Sequence, residues 1–212
     1  MKNLNNLNLI LLGAPGAGKG TQAKNIVDNF KFTHVSTGDL IRDEIKAESS
    51  LGLEVKEVVS KGKLVSDDLV FRLVKNKTKN SKKGYLFDGF PRTLIQADML
   101  NEELEIDKVL FIDVSDKTVV SRITGRRLDP QTGNIYHIEF NPAPREIEDR
   151  LVQRKDDTEK IAQERLDVYK KETQPLIDLY RSENILKEVK GEGSPSEVEE
   201  RVMNELLEGV RV

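Results

Sequence analysis

Cysteine is absent from this sequence. That excludes disulfides, thiolate nucleophiles and thiolate-held metals, and it suits a reducing compartment. Histidine is scarce: His34 and His137 stand far apart, and neither completes a Ser-His-Asp arrangement or a metal-ligand cluster. Long apolar runs are missing too. The stretch at residues 9–12 is too short for a signal core or a membrane span. Nor is there an excess of positive charge: the formal net charge is −3, so no global field recruits nucleic acid. What the 212 residues do contain is 37% apolar and 33% charged side chains. That is enough for one domain with a sizeable core under a highly charged surface. These features predict a soluble, cytoplasmic chain, retained in a cell or organelle, with neither nucleic-acid nor membrane partners.

Short apolar runs alternate with helical periodicity. Residues 7–12 read as a buried strand ended by Gly13. From Lys19 onward Ala23, Ile26, Val27 and Phe30 recur at helical spacing. Residues 34–36 read as a strand, Leu40, Ile41 and Ile45 as a helix, and Val55, Val58 and Val59 as another that stops near Gly62. Ser66 before Asp67 and Asp68 reads as a capped helix start. The basic run at residues 75–83 reads as a solvated loop. A strand at 84–88, a helix at 93–104, a central parallel strand at 108–114 and a helix through Val120 and Ile123 follow. Residues 126–157 break the rhythm with Pro130, Gly133, Pro142 and Pro144, and read as a small β-rich insertion. Ala162 to Tyr180 trace one long helix kinked at Pro175, and a strand at 185–189 and a helix from Ser196 end the chain. Strands alternating with helices predict an α/β fold with a parallel sheet covered on both faces.

"LLGAPGAGKGTQ", residues 11–22, gathers glycines where that first strand meets that first helix. The spacing Gly13-x4-Gly18-Lys19 matches most of a phosphate-binding loop. Glycines let backbone N–H groups turn toward an anion, the helix points its positive end there, and Lys19 adds a full charge. The pattern departs at one place. Gly20 stands where a Ser or Thr hydroxyl would hold Mg2+, and Thr21 comes one residue later.

With "STGDLIR", "GKLVSDDLV", "LFDGFPRT", "RITGRR" and "QRKDD" following "GAPGAGKGTQA" in that order, nearly the whole chain resembles the long-lid adenylate kinases. The resemblance implies a P-loop NTPase-like, doubly wound five-stranded core made of residues 1–35, 66–125 and 158–212. It also implies a helical AMP-binding insertion at 36–65 and a lid at 126–157, both mobile. The implied activity is reversible Mg2+-dependent phosphoryl transfer from ATP to AMP, giving two ADP, by a monomer.

The site residues follow from the same resemblance. ATP would lie on Gly13, Ala14, Pro15, Gly16, Ala17, Gly18, Lys19, Gly20 and Thr21. Lys19 and Arg126 would hold its phosphates, Arg122 would stack on its base, and Ile135, Tyr136 and Gly193 would contribute backbone contacts. AMP would meet Thr37 and Gln96 at its base, Arg42 and Arg92 at its phosphate, and the backbone of Lys63, Leu64, Val65, Gly89, Phe90 and Pro91. Arg154 and Arg165 would reach across both phosphates; Arg127 is open between the lid surface and a ligand contact. Guanidinium suits all these tasks, being always charged and forked. Asp88 would position Mg2+, mostly through water, whereas Asp39 is more simply a helix cap. Many bacterial relatives hold zinc on four lid cysteines. Here Asp129 and Thr132 stand at the first pair of positions, so no zinc is expected and polar turn bonds replace it. Related enzymes using GTP as donor, or UMP and CMP as acceptors, are the alternatives. A nucleotide-gated switch would need the hydroxyl after Lys19 and gives the arginines no task.

Overall fold

A computed structural model of the chain describes residues 4–79 and 83–209. After a 3-10 turn at Leu4–Asn6 come β1 (Leu9–Leu12), α1 (Lys19–Phe30), β2 (Thr33–Ser36), α2 (Thr37–Lys46), α3 (Ser50–Ser60) and α4 (Asp67–Thr78). Next are β3 (Tyr85–Asp88), α5 (Leu94–Glu103), β4 (Lys108–Asp113), α6 (Asp116–Thr124), β5 (Arg126–Leu128) and β6 (Ile135–His137). A 3-10 turn at Arg145–Arg150, α7 (Glu159–Val168), a π turn at Tyr169–Thr173, α8 (Pro175–Ser182), β7 (Leu186–Lys190) and α9 (Pro195–Leu207) complete it.

Five strands form one parallel sheet in the order β2-β3-β1-β4-β7. In β1 alternate side chains serve opposite faces, as a pleated strand requires. Ile10 and Leu12 join a core with Phe87, Val109 and residues of α4, α5 and α8. Leu9 and Leu11 join another with Leu86, Leu110 and residues of α1 and α9. Both faces are therefore covered, which explains why β1 is buried at every position. The chain runs from β1 out to β2, returns to β3 beside β1, and then crosses to β4 on the other side of β1. Loops at the carboxyl ends of these strands must flank a crevice there.

The predicted elements recur with altered ends, and four readings change. Lys75 to Thr78 continue α4 instead of forming a loop, with Lys75 and Lys77 in its last turn, where the helix dipole favours cations. Residues 80–82 of that basic run lie outside the described residues, as do 1–3 and 210–212 of the predicted core segments. Ser66 stands at the N-cap of α4 but makes no side-chain cap bond. Ser36, rather than Asp39, caps α2, accepting from the Asp39 N–H at 3.3 Å. The long kinked helix is two helices joined by the π turn, with Pro175 opening α8; that position asks for no N–H, so proline fits it without strain. Among the described residues no helix is long and apolar enough to cross a membrane.

One buried cation ties the last helix to the sheet. Lys108 opens β4 at 9% exposure, and its Nζ donates to the carbonyls of Glu205 (2.7 Å), Leu206 (3.1 Å) and Glu208 (2.9 Å). These are carbonyls that the end of α9 cannot satisfy internally. Burial, then Lys187, lowers the Lys108 pKa below the usual lysine value, and the charges of Glu208 and Glu205 oppose that shift. Replacing Lys108 by methionine is expected to lower the unfolding free energy by about 2 kcal/mol. Urea denaturation reads that loss, and KM values should stay unchanged.

Candidate active site

The carboxyl ends of the central strands open onto one cleft of about 830 Å3. At its floor the loop from Gly13 to Gly18 passes close to β4: a Cβ on Gly13 would lie 2.6 Å from the Ile112 carbonyl oxygen. Gly18 sits at the N-cap of α1 with φ of 99° and offers no side-chain cap. That conformation is open to glycine, and it leaves the first-turn N–H groups of α1 available to an anion. Lys19 Nζ donates to the carbonyls of Gly13 (2.8 Å) and Ala14 (2.9 Å). Burial pushes its pKa down to about 8; Asp88 opposes that shift, and Arg92 and Arg126 add to it.

The facing wall is built on the loop after β3. Thr37 Oγ1 donates to the Gly89 carbonyl at 2.6 Å, and Arg92 Nε donates to the same oxygen at 2.8 Å. The Arg92 N–H donates to Gln96 Oε1 at 2.8 Å, and the Arg92 carbonyl accepts from Thr173 Oγ1 at 2.8 Å. Arg92 is thus held at both ends of its backbone and along its side chain. Burial, then Arg165 and Arg42, lower its pKa. Arg42 pairs with Asp39. Asp88 ends β3 with Oδ2 3.8 Å from His34 Nε2.

The third wall is the antiparallel hairpin of β5 and β6 with the segment after it. Lys24 on α1 donates to Asn134 in the hairpin turn, so the turn reaches across the cleft. Arg126 presents its fork to both oxygens of Asp157, whose side chain is 0% exposed. Arg165 pairs with Asp156. Arg154 Nε is buried and finds no partner among the described residues. Its pKa is pushed down to about 10 by burial first, then by Arg126 and Arg42. The acids lining the cleft are Asp39, Asp43 and Asp88, too few to offset this convergence, so the site calls for an anion. Arg122 lies against the outer end of the loop, donating to Ala17 O (3.2 Å), Gly191 O (2.9 Å) and Gly193 O (3.4 Å).

Residues 11–185 match the family model described as adenylate kinase. The chain belongs to the adenylate kinase family. Its activity is that of the family, phosphoryl transfer between ATP and AMP. An adenylate kinase of Fusobacterium nucleatum is 47% identical over 193 residues, covering 88% of this chain and 92% of its own. One from Clostridium kluyveri is 42% identical over 214 residues (94% and 98%). One from Natronomonas pharaonis is 47% identical over 191 residues (90% and 92%).

Most residues that the adenylate kinase resemblance singled out border this cleft, including Lys19, Arg42, Asp88, Arg92, Gln96, Arg122, Arg126, Arg154 and Arg165. Two do not. Ala14 packs with Val119 and Ile123 and contributes only its carbonyl to Lys19. Phe90 is 0% exposed, its ring 6.4 Å from Phe71 and 6.2 Å from Phe87, so its side chain serves the core. Arg127 turns away, donating to Arg126 O (2.8 Å) and Thr124 O (3.3 Å). Asp129 and Thr132 make the expected polar turn bonds. Thr132 Oγ1 and the Gln131 N–H donate to Asp129 at 2.8 and 3.0 Å, and the Arg150 fork joins them. Hydrogen bonding from Arg150 is the chief cause that brings the Asp129 pKa down to about 2. Sequence reading missed Thr173, which fell inside the long helix expected from Ala162 to Tyr180, and Asp156 and Asp157, which lay unassigned beside Arg154 in "QRKDD".

Thr173→Val keeps the shape and removes the hydroxyl. It is expected to raise KM for AMP several-fold with KM for ATP unchanged, and Thr173→Ser should restore the wild-type value in steady-state kinetics. Lys19 supplies a second outcome. Phosphate contact favours its charged form, so ATP binding should take up a proton near pH 8, and affinity should fall as pH rises above that value. Calorimetry in buffers of different ionisation heat measures that proton.

Proposed function

We propose that ATP lies along the Gly13–Thr21 loop and AMP against α2 and the Gly89–Arg92 turn, phosphates facing each other across the cleft. An AMP phosphate oxygen attacks the γ-phosphorus of ATP, the bond from that phosphorus to the β,γ-bridging oxygen breaks, and two ADP result. The attacking oxygen is already ionised, so no general base is required. The demand is for positive charge around the transferring group and for exclusion of water. Lys19 and Arg126 take the donor phosphates, Arg42 and Arg92 the acceptor phosphate, and Arg154 and Arg165 bridge the two. One observation carries this reading: arginines from α2, the Gly89–Arg92 turn, β5, α7 and the segment before α7 line one cleft, with Arg154 Nε unpartnered among the described residues.

Arg122 lies under the donor base with Ile135, Tyr136 and Gly193 beside it. Thr37 and Gln96 meet the acceptor base over Lys63, Leu64 and Val65. Residues 36–65 and 126–157 close on the nucleotides, and the protein works as a monomer.

The residues present also fit a Mg2+ that arrives on ATP. Asp88 lines the cleft beside Lys19, and a Cβ on Gly20 would stand 3.6 Å from Asp88 Oδ2, so the glycine leaves that side of the carboxylate uncrowded. Among the described residues no group of three or more His, Cys, Asp or Glu could hold a metal. Phosphate and water would then supply the remaining oxygen ligands, as Mg2+ commonly accepts. When bound, the ion neutralises charge on the phosphate oxygens.

The test is an activity matrix of ATP and GTP against AMP, UMP, CMP and GMP. kcat/KM should be highest for ATP with AMP, and comparable values for UMP would overturn the acceptor assignment. In the same assay Arg126→Gln should lower kcat by about 10²-fold or more. Full speed in that variant would remove the cationic cage from the mechanism.

A further inference from the structure

A glutamine amide is nearly symmetric in shape and opposite in hydrogen-bonding sense at its two ends, so its orientation decides what it can recognise. Gln96 is 2% exposed and borders the acceptor end of the cleft. Its Oε1 accepts from the Arg92 N–H at 2.8 Å, and its Nε2 donates to Asp67 Oδ1 at 2.8 Å. A backbone N–H can only donate, and an ionised carboxylate can only accept. Turning the amide over would set donor against donor and acceptor against acceptor in a buried site, where unmade bonds are costly.

Asp67 is itself pinned. It is the first residue of α4, and the same Oδ1 accepts from Thr93 Oγ1 at 3.0 Å. Thr93 in turn caps α5 by accepting the Gln96 N–H at 3.1 Å. The carboxylate, the cap and the amide therefore form one closed set of bonds joining the starts of two helices. Among the described residues these bonds leave one hydrogen on Gln96 Nε2 and one lone pair on Oε1 unspent.

We propose that Asp67 is a positioning residue that sets acceptor-base specificity by fixing the Gln96 amide. The remaining donor and acceptor match a 6-aminopurine, which offers a ring-nitrogen acceptor beside an amino donor. A 6-oxopurine offers the reverse, a ring N–H beside an oxo acceptor, and meets like against like. The proposal rests on the reading that Gln96 faces the acceptor base, and the experiment separates the two.

The measurement is kcat/KM for AMP and for IMP, with ATP as donor, in the wild type, Asp67→Ala, Asp67→Asn and Gln96→Leu. Both substrates are assayed on one preparation, so the AMP:IMP ratio is independent of the folded fraction. Asp67→Ala should lower that ratio about tenfold, chiefly through KM for AMP, with KM for ATP unchanged. Asp67→Asn keeps an acceptor oxygen at the same reach and should retain most of the preference. Gln96→Leu should abolish it. If Gln96→Leu loses the preference and Asp67→Ala keeps it, Asp67 has no such role. A loss in Asp67→Asn as large as in Asp67→Ala overturns the acceptor argument. An unchanged ratio in Gln96→Leu instead overturns the reading of Gln96 itself.

Discussion

Cations repel, and a site that gathers this many of them must hold each in place before any polyanion arrives. At 4 Å in a partly buried setting two like charges oppose each other by about 4 kcal/mol. The chain meets this by giving almost every cleft cation its own local partner. Arg126 has the buried Asp157, Arg165 has Asp156, and Arg42 has Asp39. Lys19 rests on the carbonyls of its own loop, and Arg92 on that of Gly89. Among the described residues Arg154 Nε has no partner, and its proton is held less firmly than an ordinary arginine's. Guanidinium suits such an arrangement: a fork that spends some N–H donors on a carboxylate keeps others for phosphate.

Rigidity beneath these groups comes from neutral packing. β1 is buried at every position and paired on both sides, with Leu11 opposite Asp88 and Leu110. The loop that follows β1 is therefore launched from a strand buried at every position and paired on both sides. Charge is used structurally where packing ends, with Lys108 holding the end of α9. Among the described residues the hairpin of β5 and β6 adds no side chain to the buried core clusters and relies on directed bonds. His137 Nδ1 accepts from the N–H groups of Glu139 and Phe140 at 3.0 Å each. Its Nε2 therefore carries the proton and faces the Ser121 carbonyl at 3.2 Å. A Cβ on Gly125 would fall 2.2 Å from that nitrogen, so the ring fits against the end of α6 only because residue 125 is glycine.

The wall built on the loop after β3 shows how far along the chain a site's precision can originate. Thr173 reaches the Arg92 carbonyl from the π turn between α7 and α8, where the helical register shifts. Buried and fully directed, such bonds hold a loop more tightly than apolar contact does, since apolar contact has no preferred angle.

Strand–loop–helix order and the glycine loop with Lys19 were legible in the sequence, because hydrophobic period and local turn chemistry are properties of neighbouring residues. The arginines of "STGDLIR", "FPR", "RITGRR" and "QRKDD" were singled out only by the family resemblance. The end of α4 beyond Val74 was misread, since lysines in a last helical turn look the same in one dimension as lysines in a loop. Partners distant in the chain were not legible. That Asp157 takes Arg126, that Asp67 takes Gln96, that Thr173 takes Arg92 and that Phe90 turns inward depend on where helices dock against the sheet. Local sequence determined which elements form and what charges they carry. Only tertiary packing decided which charges meet, because docking is set by the summed burial of many side chains that no single segment contains.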